Sequence, residues 1–168
     1  MNNRRNGFWI IGILLVLVQL FLFRDFSLLG RGFFFVYLYI ILMAPLSISL
    51  GFLLFFALII GWIVDLFLLS YGLHAFSAVL IAFLKFPLLR IIGFDSNQEE
   101  DLSVSIRTLK IQKFTSYVFV STLIYSFVYF ILEASDSSLF PLVLVKTLFT
   151  SIITTIIFII IESFSPSK

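Results

Sequence analysis

The sequence predicts an all-α, polytopic integral membrane protein with six transmembrane helices and both termini cytoplasmic. Its composition is 61% hydrophobic and 12% charged, with a mean hydropathy of +1.18, too little polar surface to cover a soluble domain. The apolar residues arrive in long runs separated by short polar pieces, the pattern of membrane-spanning helices. These runs lack the strict apolar-polar alternation of barrel strands.

The first span is residues 8–23, FWIIGILLVLVQLFLF, preceded by Arg4 and Arg5. Positive charge before an apolar run resembles a secretion signal, but no small-x-small cleavage pattern follows, so a retained signal anchor is the expectation. Gln19 sits inside this span and either bonds to another helix or is a tolerated polar residue near the far interface. Arg24, Asp25 and Arg31 mark the first turn.

From Phe33 to Ser70 the only charged residue is Asp65, and as one helix this stretch would be about 57 Å long, so two spans must share it. Pro45, with Ser47, Ser49 and Gly51 behind it, is the expected break, because proline interrupts a helix outside its first turn. The second segment, 33–46, is then either a short or kinked span or a re-entrant piece. The third span, 49–69, carries Gly61, Trp62 and Asp65. Gly61 and Asp65 are one turn apart and can face one neighbour, the glycine allowing close approach and the aspartate seeking a donor.

Tyr71 and Gly72 turn the chain into the fourth span, 73–92, which His74 opens. The Asp65 and His74 side chains either meet across the turn or are separately solvated. Lys85, Pro87 and Arg90 close this span at the opposite face, where basic stems can snorkel. Residues 93–113 form a polar loop, with Asp95, Glu99, Glu100 and Asp101 before Arg107, Lys110 and Lys113. It is either a solvated cytoplasmic loop or a surface for a partner, with an interfacial helix possible in its basic half.

The fifth span, 114–132, is rich in Ser, Thr and Tyr. The sixth, 139–161, has Lys146 one to two turns inside, expected to snorkel or to pair with Glu133, Asp136 or Asp65. With the amino terminus inside, Arg4, Arg5, Arg90, Arg107, Lys110, Lys113 and Lys168 collect on the cytoplasmic side and Arg24 and Arg31 outside.

The chemistry available is sparse. One histidine and no cysteine leave no zinc signature and no thiolate, and neither a phosphate-binding glycine loop nor a nucleophile elbow is present. No catalytic residue, cofactor or metal is expected. The formal charge of +2 comes from residues beside membrane helices and gives no reason to expect nucleic acid. Two classes of function compete: a membrane scaffold that recruits partners through its helix faces, and a transporter subunit holding a small ligand among Asp65, Lys146 and Gln19.

The positions Pro45, Gly51, Gly61, Asp65, Gly72, Leu73 and His74 resemble the central pattern of the bacterial rod shape-determining protein MreD family. In that pattern a proline opens a glycine-containing apolar helix, a glycine precedes an aspartate near its end, and a leucine-glycine-histidine-like turn starts the next helix. Gln19 also suits the family. Trp62, where the family often has a small or aliphatic residue, and the phenylalanine-rich second span depart from it. The resemblance implies a non-catalytic inner-membrane component of the elongasome. Its implied partners are the lipid bilayer, the bitopic protein MreC, and RodA and the elongation-specific penicillin-binding protein, with MreB filaments reached indirectly. The family is also similar in layout to the substrate-binding membrane subunits of vitamin transporters, which keeps the small-ligand alternative open.

Overall fold

A computed structural model describes residues 2–21, 33–94, 104–134 and 136–164. Arg24, Asp25, Arg31, Asp95, Glu99, Glu100, Asp101 and Lys168, used above for topology, lie outside the described residues. The helices are α1 (Asn2–Phe21), α2 (Leu38–Leu42), α3 (Leu50–Leu68), α4 (Leu73–Ile91), α5 (Ile106–Glu133) and α6 (Phe140–Phe164). Among the described residues α3, α4, α5 and α6 are each long and apolar enough to cross a membrane. The chain is therefore an all-α, multi-pass membrane protein.

Local chemistry sets the boundaries. The Ser49 hydroxyl accepts from the Phe52 N–H to start α3, and Ser105 and Thr108 cap each other reciprocally at the start of α5, satisfying amides that a helix leaves free at its N-terminus. α5 thus begins inside the segment read as a polar loop, with Val104 and Leu109 buried.

The turn 69–72 joins α3 to α4, and the turn 134–139 joins α5 to α6. The start of α4 lies beside the last turns of α5, since His74 meets Tyr125 and Tyr129. The end of α4 lies beside the start of α5, since the Lys113 ammonium donates to the Gly93 carbonyl at 3.0 Å. Both turns therefore sit at one end of the bundle, and the connection between α4 and α5 leaves from the other.

The segment 33–46, expected as a span, contains only the five helical residues of α2. Its aromatic and β-branched run is a weak helix former, and Pro45 ends it. The segment nevertheless forms the centre of the bundle, with Val36 to Ala44 almost wholly buried. It enters near the turn end, where Phe33 N–H donates to Thr150 Oγ1 at 3.1 Å, and descends to the level of Lys85 and Tyr117. α1 runs beside it in the opposite sense: Gly12 abuts the Ile40 side chain and Gln19 reaches Val36.

Irregular backbone at membrane depth needs partners for its N–H and C=O groups, and the surrounding helices supply them. Gln19 of α1 accepts from Val36 N–H at 3.0 Å. Lys85 of α4 donates to the carbonyls of Ile41 at 3.3 Å and Ala44 at 2.6 Å. Tyr117 of α5 donates to the Leu42 carbonyl at 3.2 Å. The Ile41 carbonyl is the one that a residue at position 45 would serve in a continuing helix. Proline has no N–H to offer, and the ammonium replaces it. The expectation that Lys85 snorkels to the surface is thereby corrected: its side chain is fully buried, drawn inward by carbonyls left free at the end of α2.

Candidate functional site

Asp65 is buried near the end of α3, against the start of α4. Gly72 is the N-cap residue of α4, with φ +91, and has no side chain to offer the first amides of that helix. Asp65 supplies the cap from the neighbouring helix. Its Oδ1 accepts from His74 N–H at 3.0 Å and from the Ser70 hydroxyl at 2.6 Å, and its Oδ2 accepts from Ala75 N–H at 2.8 Å. A carboxylate at a helix N-terminus also meets the positive end of the helix dipole.

This arrangement requires close approach, and Gly61 provides it. A Cβ on Gly61 would lie 2.5 Å from Ala75 Cα, 2.8 Å from Ala75 N and 2.9 Å from the His74 carbonyl oxygen. The shared face of Gly61 and Asp65 thus meets one neighbour, the first turn of α4. Asp65 reaches His74 only through that residue's backbone amide. The imidazole points elsewhere.

The His74 ring belongs to a cluster that the sequence reading did not single out. Its Nδ1 lies 2.8 Å from Tyr125 Oη and 3.2 Å from Tyr37 Oη, and the two tyrosine hydroxyls hydrogen-bond to each other. With Nδ1 as acceptor, the two hydroxyl protons suffice: Tyr37 donates to Tyr125 and Tyr125 donates to His74. Phe35 packs edge-on against this group, with ring centroids 5.6 Å from His74, 4.9 Å from Tyr125 and 5.2 Å from Tyr129. Among the described residues, His74 Nε2 and the Ser77 hydroxyl are buried with no hydrogen-bond partner. The signal that could have found the cluster is the pair Tyr37 and Tyr39 in an otherwise apolar run, since a buried phenol usually has a partner.

The other candidates are dispersed. Gln19 and Pro45 belong to the central segment. Tyr39 donates to Glu162 Oε2 at 2.8 Å, tying α2 to the end of α6. Lys146 pairs with Glu133 at 3.3 Å across the last turn and stands 5.4 Å from the ring centres of Phe33 and Phe130, near the outer rim of the turn end and apart from the Asp65 contacts. Trp62 faces outward, 60% exposed, with Phe55 and Leu66 along the same side of α3.

The fold and its interior define a multi-pass helical membrane protein whose strongest buried hydrogen-bonding groups hold its own backbone. No family model, curated protein or solved structure matches the chain.

Proposed function

We propose that the chain is a non-catalytic membrane subunit of a bacterial cell-elongation complex, of the kind the MreD resemblance implies. It sits in the inner membrane, crosses six times with both termini cytoplasmic, and supports peptidoglycan synthesis and cell shape by binding an MreC-like bitopic protein and wall-synthesis enzymes. The observation that carries this reading is the saturation of Asp65. Both carboxylate oxygens are taken up by Ser70 and the first amides of α4, so the acid best placed for transport or catalysis serves as a joint. What the chain offers to its surroundings is apolar helix surface, on α3 and on α6 from Leu142 to Ile160, suited to lipid and to partner helices.

Support for six passes comes from the central segment, which runs between the two ends of the bundle although little of it is helical. Support for the orientation comes from Arg90, Arg107, Lys110 and Lys113 at the loop end, the side that the positive-inside rule makes cytoplasmic. The test is affinity purification from native membranes with identification of the co-purifying proteins. Recovery of a bitopic coiled-coil protein with wall-synthesis enzymes is expected. Recovery of a transport ATPase pair instead would overturn the reading.

A second reading, a small-ligand-binding subunit of a transporter, is favoured by His74 Nε2, which has no hydrogen-bond partner among the described residues and whose ring lies beside the largely non-helical central segment, since irregular backbone at membrane depth recurs where transporters bind their substrates.

A further inference from the structure

The loop end, where the connection between α4 and α5 leaves the bundle, carries a basic corner whose part in the proposed function is limited to orientation. Lys113 is bonded to the Gly93 carbonyl at 3.0 Å. Arg90 lies three residues before Gly93 at the end of α4, and Lys110 three residues before Lys113 in α5, so three exposed cations sit where α4 ends and α5 begins. Among the described residues none of the three has a carboxylate within 4.0 Å.

The surface beside them is apolar: Ile91, 80% exposed, and Ile111, 52%, lie at the level of the cations, and Phe83, 53% exposed, lies two turns toward the membrane. Phe83 and Arg90 are two turns apart, on one side of α4. Lys110 has φ 62 and ψ 155 inside an otherwise helical stretch, a conformation that a residue with a Cβ adopts only at a cost. That break separates the capped first turn of α5 from its membrane span and leaves Lys110 exposed at the boundary between them.

We propose that Arg90, Lys110 and Lys113 form a binding site for the headgroup of an anionic phospholipid in the leaflet at this end, with Ile91 and Ile111 flanking the headgroup and an acyl chain lying along α4 on Phe83. Charge complementarity selects an anion, and the exposed apolar side chains beside the cations select a lipid over a soluble phosphate. Juxtamembrane cations attract anionic lipids at close range, each cation contributing roughly fivefold in affinity at low salt.

The test uses the purified full chain in neutral detergent, offered equal amounts of phosphatidylglycerol and phosphatidylcholine with identical acyl chains, the bound lipid being read by native mass spectrometry. Phosphatidylglycerol adducts should dominate. Arg90→Gln and Lys113→Gln should each lower the preference about fivefold, and the combined Arg90→Gln, Lys110→Gly, Lys113→Gln chain should bring it close to parity. Lys110→Gly alone relieves the strained backbone, so its lower preference cannot be assigned to lost folding even if the triple variant is unstable. Equal binding of the two lipids by the native chain would overturn the proposal. So would an unchanged preference in the folded variants, or displacement of the lipid by millimolar inorganic phosphate.

Discussion

Replacing Asp65 by Ala removes three hydrogen bonds at once and leaves the His74 and Ala75 amides buried without an acceptor. Each orphaned amide costs about 1–3 kcal/mol, and the lost charge at the helix N-terminus adds about 0.3–2 kcal/mol. The expected loss is therefore roughly 2–8 kcal/mol, concentrated at the start of α4. Asp65→Asn keeps one acceptor oxygen but turns an NH2 group toward the other donor, so about half of that loss should remain. Amide hydrogen exchange reads the effect where it arises. His74 and Ala75 should exchange roughly 10- to 100-fold faster in the Ala variant, following the cost of each orphaned amide, while amides in the middle of α5 change less. Native protection at His74 and Ala75 in Asp65→Ala would refute the capping argument.

Two further perturbations separate the close contacts from the open ones. Gly61→Ala should destabilise by about 1–3 kcal/mol, because its Cβ meets backbone atoms of α4 that no rotamer change can move. Gly51→Ala, whose Cβ would have nothing within 4 Å, should be neutral or gain up to about 1 kcal/mol from helix propensity. Thermal unfolding in detergent checks both. Gln19→Leu should cost about 1–3 kcal/mol by leaving the Val36 amide unsatisfied at the centre of the bundle, and the same unfolding measurement reads it against wild type.

The long apolar helices were legible because length and hydropathy suffice for a span. The break at Pro45 was also legible, because it follows from a missing N–H. What could not be read was the other side of each bond. Lys85 appeared as a snorkelling cation because the carbonyls that hold it, Ile41 and Ala44, lie 44 and 41 residues away in the chain. Gly61 and Asp65 marked a close contact through their one-turn spacing, but whether Asp65 met the ring or the backbone of His74 depended on the turn, where Leu69 and Tyr71 adopt positive φ despite their side chains. The Tyr37 and Tyr125 partnership stayed hidden among many aromatics for the same reason: its members are 88 residues apart.

Whether the buried polar cluster is a structural joint or a ligand site is tested most directly by small-molecule mass spectrometry of the chain extracted from native membranes, wild type beside Tyr37→Phe. The substitution deletes one hydroxyl from the His74 and Tyr125 cluster and keeps the ring. A structural cluster predicts no stoichiometric non-lipid molecule whose retention depends on Tyr37. A molecule bound one-to-one in the wild type and lost from folded Tyr37→Phe would contradict that and favour a ligand-binding subunit.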